Sequence, residues 1–86
     1  GVNYKSPIII EETNEIIFFP TNSPRLTECT WISLNNLEDY KKEDGKTKIS
    51  FKNGKTISVD VSYNSLDNQV LRSTRLESIL RKRKNI

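Results

Sequence analysis

Lys46-Thr47-Lys48-Ile49-Ser50-Phe51-Lys52-Asn53-Gly54-Lys55-Thr56-Ile57-Ser58-Val59-Asp60-Val61-Ser62 holds the strongest structural signal in the chain. Two runs rich in β-branched and aromatic residues flank Asn53-Gly54, a pair typical of hairpin turns. A two-residue type I′ loop would pair Ile49 with Ser58 and Phe51 with Thr56, mixing apolar and polar groups on each face. A longer loop, Lys52-Asn53-Gly54 with Gly54 left-handed, pairs Phe51 with Lys55, Ile49 with Ile57 and Thr47 with Val59. That register gathers Thr47, Ile49, Phe51, Ile57, Val59 and Val61 on one face. Side chains alternate with a period of two, so the register that collects the apolar set is the expected one. The other face then carries Lys46, Lys48, Ser50 and Lys52, with Thr56, Ser58 and Asp60 beside them and Lys55 at the tip. Such a face either offers cations to a ligand or keeps a strand from aggregating.

From Ser62 onward the period changes to that of a helix. Ser62, Asn64 or Ser65 can cap its N-terminus, and Leu66, Val70, Leu76 and Leu80 form one apolar stripe. Leu71 and Ile79 lie off that stripe, which leaves three readings: wrapping round the core, a break near Ser73-Thr74, or contact with another subunit. Toward the N-terminus, Ile8-Ile9-Ile10 and Ile16-Ile17-Phe18-Phe19, bracketed by Pro7 and Pro20, read as a second hairpin about Thr13-Asn14. Neither run alternates with polar residues, so both faces are expected to be covered, one of them by another subunit. Cys29 to Leu34 reads as a strand; Leu37 to Lys42 either extends it or forms a short helical turn. The expected fold class is α+β: an antiparallel sheet from two β-hairpins plus an intervening strand, with a C-terminal helix packed on it.

Eighty-six residues allow one domain, spanning 1–86, with a small core. Apolar residues make up 34% and there is no Ala, Met or His, so Ile, Leu, Val and the aromatics supply the burial. The chain opens Gly1-Val2-Asn3 without Met, as expected of an excised segment or a processed chain. Cys29 stands alone, a small buried hydrophobe in a reducing, cytoplasmic setting. No apolar run reaches the ~20 residues of a membrane span. Without His the usual general base near neutral pH is missing. Glu11, Glu12, Glu15, Glu38, Asp39, Glu43 and Asp44 lie mostly at turns, where solvated charge is ordinary. One Cys and no His give too few ligands for a transition-metal site, and no glycine-rich phosphate cradle is present. A non-enzymatic protein without cofactors is expected.

Charge points to a polyanion. Net charge is +3, but Arg72, Arg75, Arg81, Lys82, Arg83 and Lys84 stand against Glu77 alone, leaving the rest of the chain net negative. The ribbon lysines Lys46, Lys48, Lys52 and Lys55 join Arg72, Arg75, Arg81, Lys82 and Arg83 as candidates for phosphate neutralisation. Asn64 and Ser65 near the helix start are candidate phosphate ligands, and Asn68 and Gln69 follow within reach of base edges or phosphates. Arg25, in a Pro-Ser-Asn loop, suits a narrow A·T minor groove. Trp31 and Tyr40 read as core residues rather than base-stacking platforms. The requirement behind this set is that ribbon and helix cations share one exposed surface.

The block Phe51-Lys-Asn-Gly-Lys-Thr56, then Ser62-Tyr-Asn-Ser65, Asn68-Gln-Val70, Arg72 and Leu76, resembles the ComK family of competence transcription factors. So do Pro7-Ile-Ile, Asn14-Glu-Ile, Phe18-Phe-Pro-Thr21 and Cys29-Thr-Trp-Ile-Ser33, and the resemblance covers residues 5–82. It implies a nucleoid-associated activator of DNA-uptake genes that binds A/T-rich boxes of double-stranded DNA, mainly through the minor groove, as a homodimer or dimer of dimers. It also implies dealings with RNA polymerase and with a Clp-adaptor protein, through segments beyond this chain. No residue-level DNA contact is carried over from the family; the contacts named above come from charge and geometry. Two other readings stay open. The strand–Asn-Gly–strand–Ser-helix order is similar to the LytTR domain, a major-groove binder. A protein-interaction module, docking through the isoleucine hairpin with a merely solubilising basic tail, is the other.

Overall fold

A computed structural model of the chain describes residues 6–11, 14, 16–21 and 29–84. In chain order the elements are β1 (Ile8–Glu11), β2 (Ile16–Pro20), β3 (Trp31–Ser33), a 3-10 turn (Leu34–Asn36), β4 (Leu37–Glu43), β5 (Lys46–Phe51), β6 (Thr56–Val59) and α1 (Tyr63–Lys84). The α+β class holds, but the strands divide into two antiparallel sheets, β1-β2-β3 and β4-β5-β6. The expected single sheet is corrected by Leu34–Asn36: this turn ends β3 and lets Leu37 start a fresh strand, so 37–42 is strand. The Lys52 N–H donates to the Asn36 carbonyl at 2.9 Å, which ties the ribbon tip to the same turn.

Two hairpins in the second sheet use their glycines differently. β4 and β5 pair to their ends, Glu43 opposite Lys46, leaving Asp44-Gly45 as the loop. Both residues have positive φ, 42° and 79°, the requirement of a type I′ turn. Between β5 and β6 the register is Thr47↔Val59 and Ile49↔Ile57, as the apolar pattern requires. The Phe51 N–H donates to the Lys55 carbonyl at 2.8 Å, and Gly54, at φ 87°, donates to the Phe51 carbonyl at 2.9 Å. Asn53-Gly54 therefore sits in the longer, bulged loop.

One buried cluster joins all layers: Phe19 and Ile32 from the first sheet, Ile49 and Val59 from the second, and Leu66 from α1. Three buried polar side chains donate hydrogen bonds at 2.8 Å, Thr47 Oγ1 to the Val61 carbonyl, Gln69 Nε2 to Pro20 and Ser73 Oγ to Gln69. The last removes the proposed break, since α1 runs unbroken through Ser73 and Thr74. Tyr40 packs against the core and its hydroxyl donates to Asp67 Oδ1 at 2.6 Å, while Trp31 is 40% exposed and is not a core residue. Ile57, on the edge strand β6, is also more exposed than its place on the apolar face suggests. The first hairpin forms with Ile8 opposite Phe18, but Ile8, Ile9 and Ile10 all stay exposed. In this chain neither face of β1 is covered as expected.

Candidate nucleic-acid interface

Period-two alternation places the ribbon cations. Thr47 and Ile49 are fully buried toward α1, so Lys46 and Lys48 project from the other face of β5. β4 brings Asp39, Lys41 and Glu43 to that same outer face, with Glu43 opposite Lys46 and Lys41 opposite Lys48. Lys48 is half-buried and Lys46 exposed. Lys52 and Lys55 lie beyond the strand ends, exposed at the hairpin tip, where the Lys55 N–H donates to Asn53 Oδ1 at 2.9 Å. The outer sheet face is thus a mixture of both signs, and it points away from the helix.

α1 behaves otherwise. At 100° per residue, Asn64, Asn68, Leu71, Arg72, Arg75, Ile79 and Lys82 fall within a stripe roughly 100° wide. All are exposed, and Ser65 and Arg83 lie exposed along one border. The helix holds two carboxylates, and both are turned off this stripe. Asp67 accepts from Tyr40, and Glu77 lies 3.6 Å from Arg81. Burial and the Asp67 carboxylate together push the Tyr40 phenol well above its ordinary range. The outer helix face therefore carries Arg72, Arg75, Lys82 and Arg83 with no acid among them, and Arg81 sits toward its partner Glu77.

The expectation of one shared surface is corrected here. Lys46 and Lys48 lie on the opposite side of the second sheet from the helix cations, because α1 takes the face that Ile49 and Val59 bury, while Lys52 and Lys55 stand at the hairpin tip. Gln69 is a second correction: only 3% exposed, it spends its amide on Pro20 and holds the end of β2 under the helix. Arg25 lies outside the described residues.

Sequence reasoning missed Thr21. It is buried, its N–H donates to the Thr30 carbonyl at 2.8 Å, and its Oγ1 accepts from the Thr30 N–H at 3.2 Å. Together with Ser65, Asn68, Gln69 and Arg72 it lines a small polar cavity of about 110 Å³. A threonine after a proline carries no signal of its own; only the packing of β2 against α1 brings it there. Among the described residues no group of three or more His, Cys, Asp or Glu side chains could hold a metal, and no helix is long and apolar enough to cross a membrane.

The family model described as ComK protein matches residues 1–85. The chain belongs to the ComK family. A curated relative, the competence transcription factor of Bacillus subtilis (strain 168), is 38% identical over 78 residues, which is 90% of this chain. The aligned part is 41% of that relative, so the chain spans less than half of its length. No solved structure matches at a comparable level.

Proposed function

We propose that this chain is the DNA-engaging part of a competence transcription regulator and not an enzyme. The observation that carries the reading is the acid-free outer face of α1, with Arg72, Arg75, Lys82 and Arg83 exposed beside Asn64 and Asn68. Cations in such an array neutralise phosphates and release counterions, the main source of affinity for a duplex. Family membership, and a relative named as a competence transcription factor, supply the biological setting. Family membership favours this reading over the LytTR-like alternative.

In this proposal the helix rides on the backbone and does not enter the minor groove. A helix is about 10–12 Å across with its side chains, while that groove is only about 6 Å wide. A/T preference then falls to a thinner element, and Arg25 is the residue we assign to it, from its Pro-Ser-Asn sequence context. Lys52 and Lys55 at the ribbon tip are secondary contacts. Association as a dimer or higher assembly is part of the reading, motivated by the exposed Ile8, Ile9 and Ile10. Contacts with RNA polymerase or a protease adaptor would belong to the longer protein.

A gel shift at stated salt, on an A/T-box duplex against a shuffled G/C control, tests the function. Tighter binding to the A/T duplex, displaced by a distamycin-type ligand, is the expected result. Equal affinity for both duplexes sinks the reading and favours a protein-interaction module.

A further inference from the structure

Among the described residues, the cavity between the end of β2 and the second turn of α1 is lined by Thr21, Ser65, Asn68, Gln69 and Arg72, with no carboxylate among them. Each of its two hydroxyls already accepts one hydrogen bond inside the protein. Thr21 Oγ1 accepts from the Thr30 N–H at 3.2 Å, and Ser65 Oγ accepts from Ser62 Oγ at 3.0 Å. Each hydroxyl keeps its own proton to give. Thr21 is only 3% exposed and lines the cavity. The Asn68 amide adds N–H donors and the Arg72 guanidinium adds a fork of them with a full charge. Gln69 is held against Pro20 at 2.8 Å and fixes the wall between the two elements.

A small polar pocket that combines hydroxyl and amide donors with one guanidinium cation suits an oxyanion. We propose that this cavity is a phosphate clamp that seats one phosphodiester group of the duplex and so sets the register of α1 on the backbone. The duplex as the source of the phosphate rests on the DNA-binding reading above; the pocket's chemistry does not. The clamp is built from two elements, which separates it from the solvated cations Arg75, Lys82 and Arg83. Those provide affinity without position, whereas Thr21 and Ser65 can receive a phosphate at one place only.

The test uses the isotope-labelled chain in two arms. Titration with inorganic phosphate, against chloride at equal ionic strength, is expected to shift the Thr21, Ser65 and Asn68 amide signals and the Arg72 side-chain signal, and Arg72→Gln or Ser65→Ala is expected to abolish those shifts. In the second arm, Arg72→Gln is expected to weaken A/T-duplex binding roughly tenfold and to lower the salt slope by about one unit. The ratio of A/T to G/C affinity should stay unchanged. Both variants lie on the exposed helix surface, and an unchanged circular dichroism spectrum verifies the fold. Phosphate-induced shifts that map elsewhere, or a salt slope that Arg72→Gln leaves intact, overturn the clamp while leaving DNA binding in place. Loss of the A/T preference alone, with the phosphate shifts retained, sinks the proposed function and leaves the clamp standing.

Discussion

Gly54 shows how one backbone angle fixes a register. At φ 87° it occupies the left-handed region, and a Cβ there meets nothing within 4 Å, so substitution costs conformation and not space. Gly54→Ala is expected to destabilise the chain by about 1–2 kcal/mol and Gly54→Asn by clearly less, read from urea midpoints. Tyr40 gives a second residue-level prediction. Its phenol is raised by burial first, then by the hydrogen bond and charge of Asp67. A raised folded-state value means that the stabilisation is fully present below the ordinary tyrosine range near pH 10. It is lost as pH climbs through that value toward the folded one. Thermal melts above pH 10 should therefore fall with pH, and Tyr40→Phe should flatten that decline. A decline of the same steepness in the variant would assign the alkaline loss to other groups.

At the scale of elements, α1 and the β5–β6 ribbon carry comparable numbers of cations but differ in arrangement. On the ribbon, lysines alternate with Asp39 and Glu43 of β4 across the same face; on the helix, both acids are drawn off the outer stripe. Charge reversal of Arg75 and Lys82 together is accordingly expected to lower the slope of log affinity against log salt by about two units. Reversal of Lys46 and Lys48 should change it by much less than one. The opposite ranking in a filter-binding titration would return the contact surface to the ribbon. The helix start offers a stability check. Ser62 Oγ accepts from the Ser65 N–H at 3.1 Å, so Ser62→Ala is expected to cost about 1 kcal/mol in a denaturant melt.

Taken whole, the molecule buries few large side chains: Ile17, Phe19, Ile32, Ile49, Val59, Leu66 and Leu80 among the described residues. A core of that size leaves little reserve, so a bound partner should be visible as stability. At a duplex concentration of 100 times Kd, mass action adds about 2.7 kcal/mol. That corresponds to a rise in Tm of about 10 °C or more for a domain of this length. Differential scanning fluorimetry with an A/T-box duplex checks this, and a Tm that duplex does not move argues against binding. The exposed Ile8, Ile9 and Ile10 predict concentration-dependent sedimentation, and Ile10→Lys should lower the average mass without altering the circular dichroism spectrum.

The hairpin at Asn53-Gly54, its register, the helix after Ser62 and the family were all legible in the order of residues. They rest on local rules: period two, period 3.6, left-handed glycine and helix capping act over a few neighbours and leave their pattern in the chain. The division into two sheets, the placement of Lys46 and Lys48 opposite the helix cations, the burial of Gln69 and the joining of Thr21 to Ser65, Asn68 and Arg72 were not legible. Each depends on which face of the second sheet α1 covers. Ile49, Val59, Phe19, Ile32 and Leu66 set that together, through contacts between segments far apart in sequence. Burial in a common core is non-directional along the chain, so no local pattern records which elements will meet.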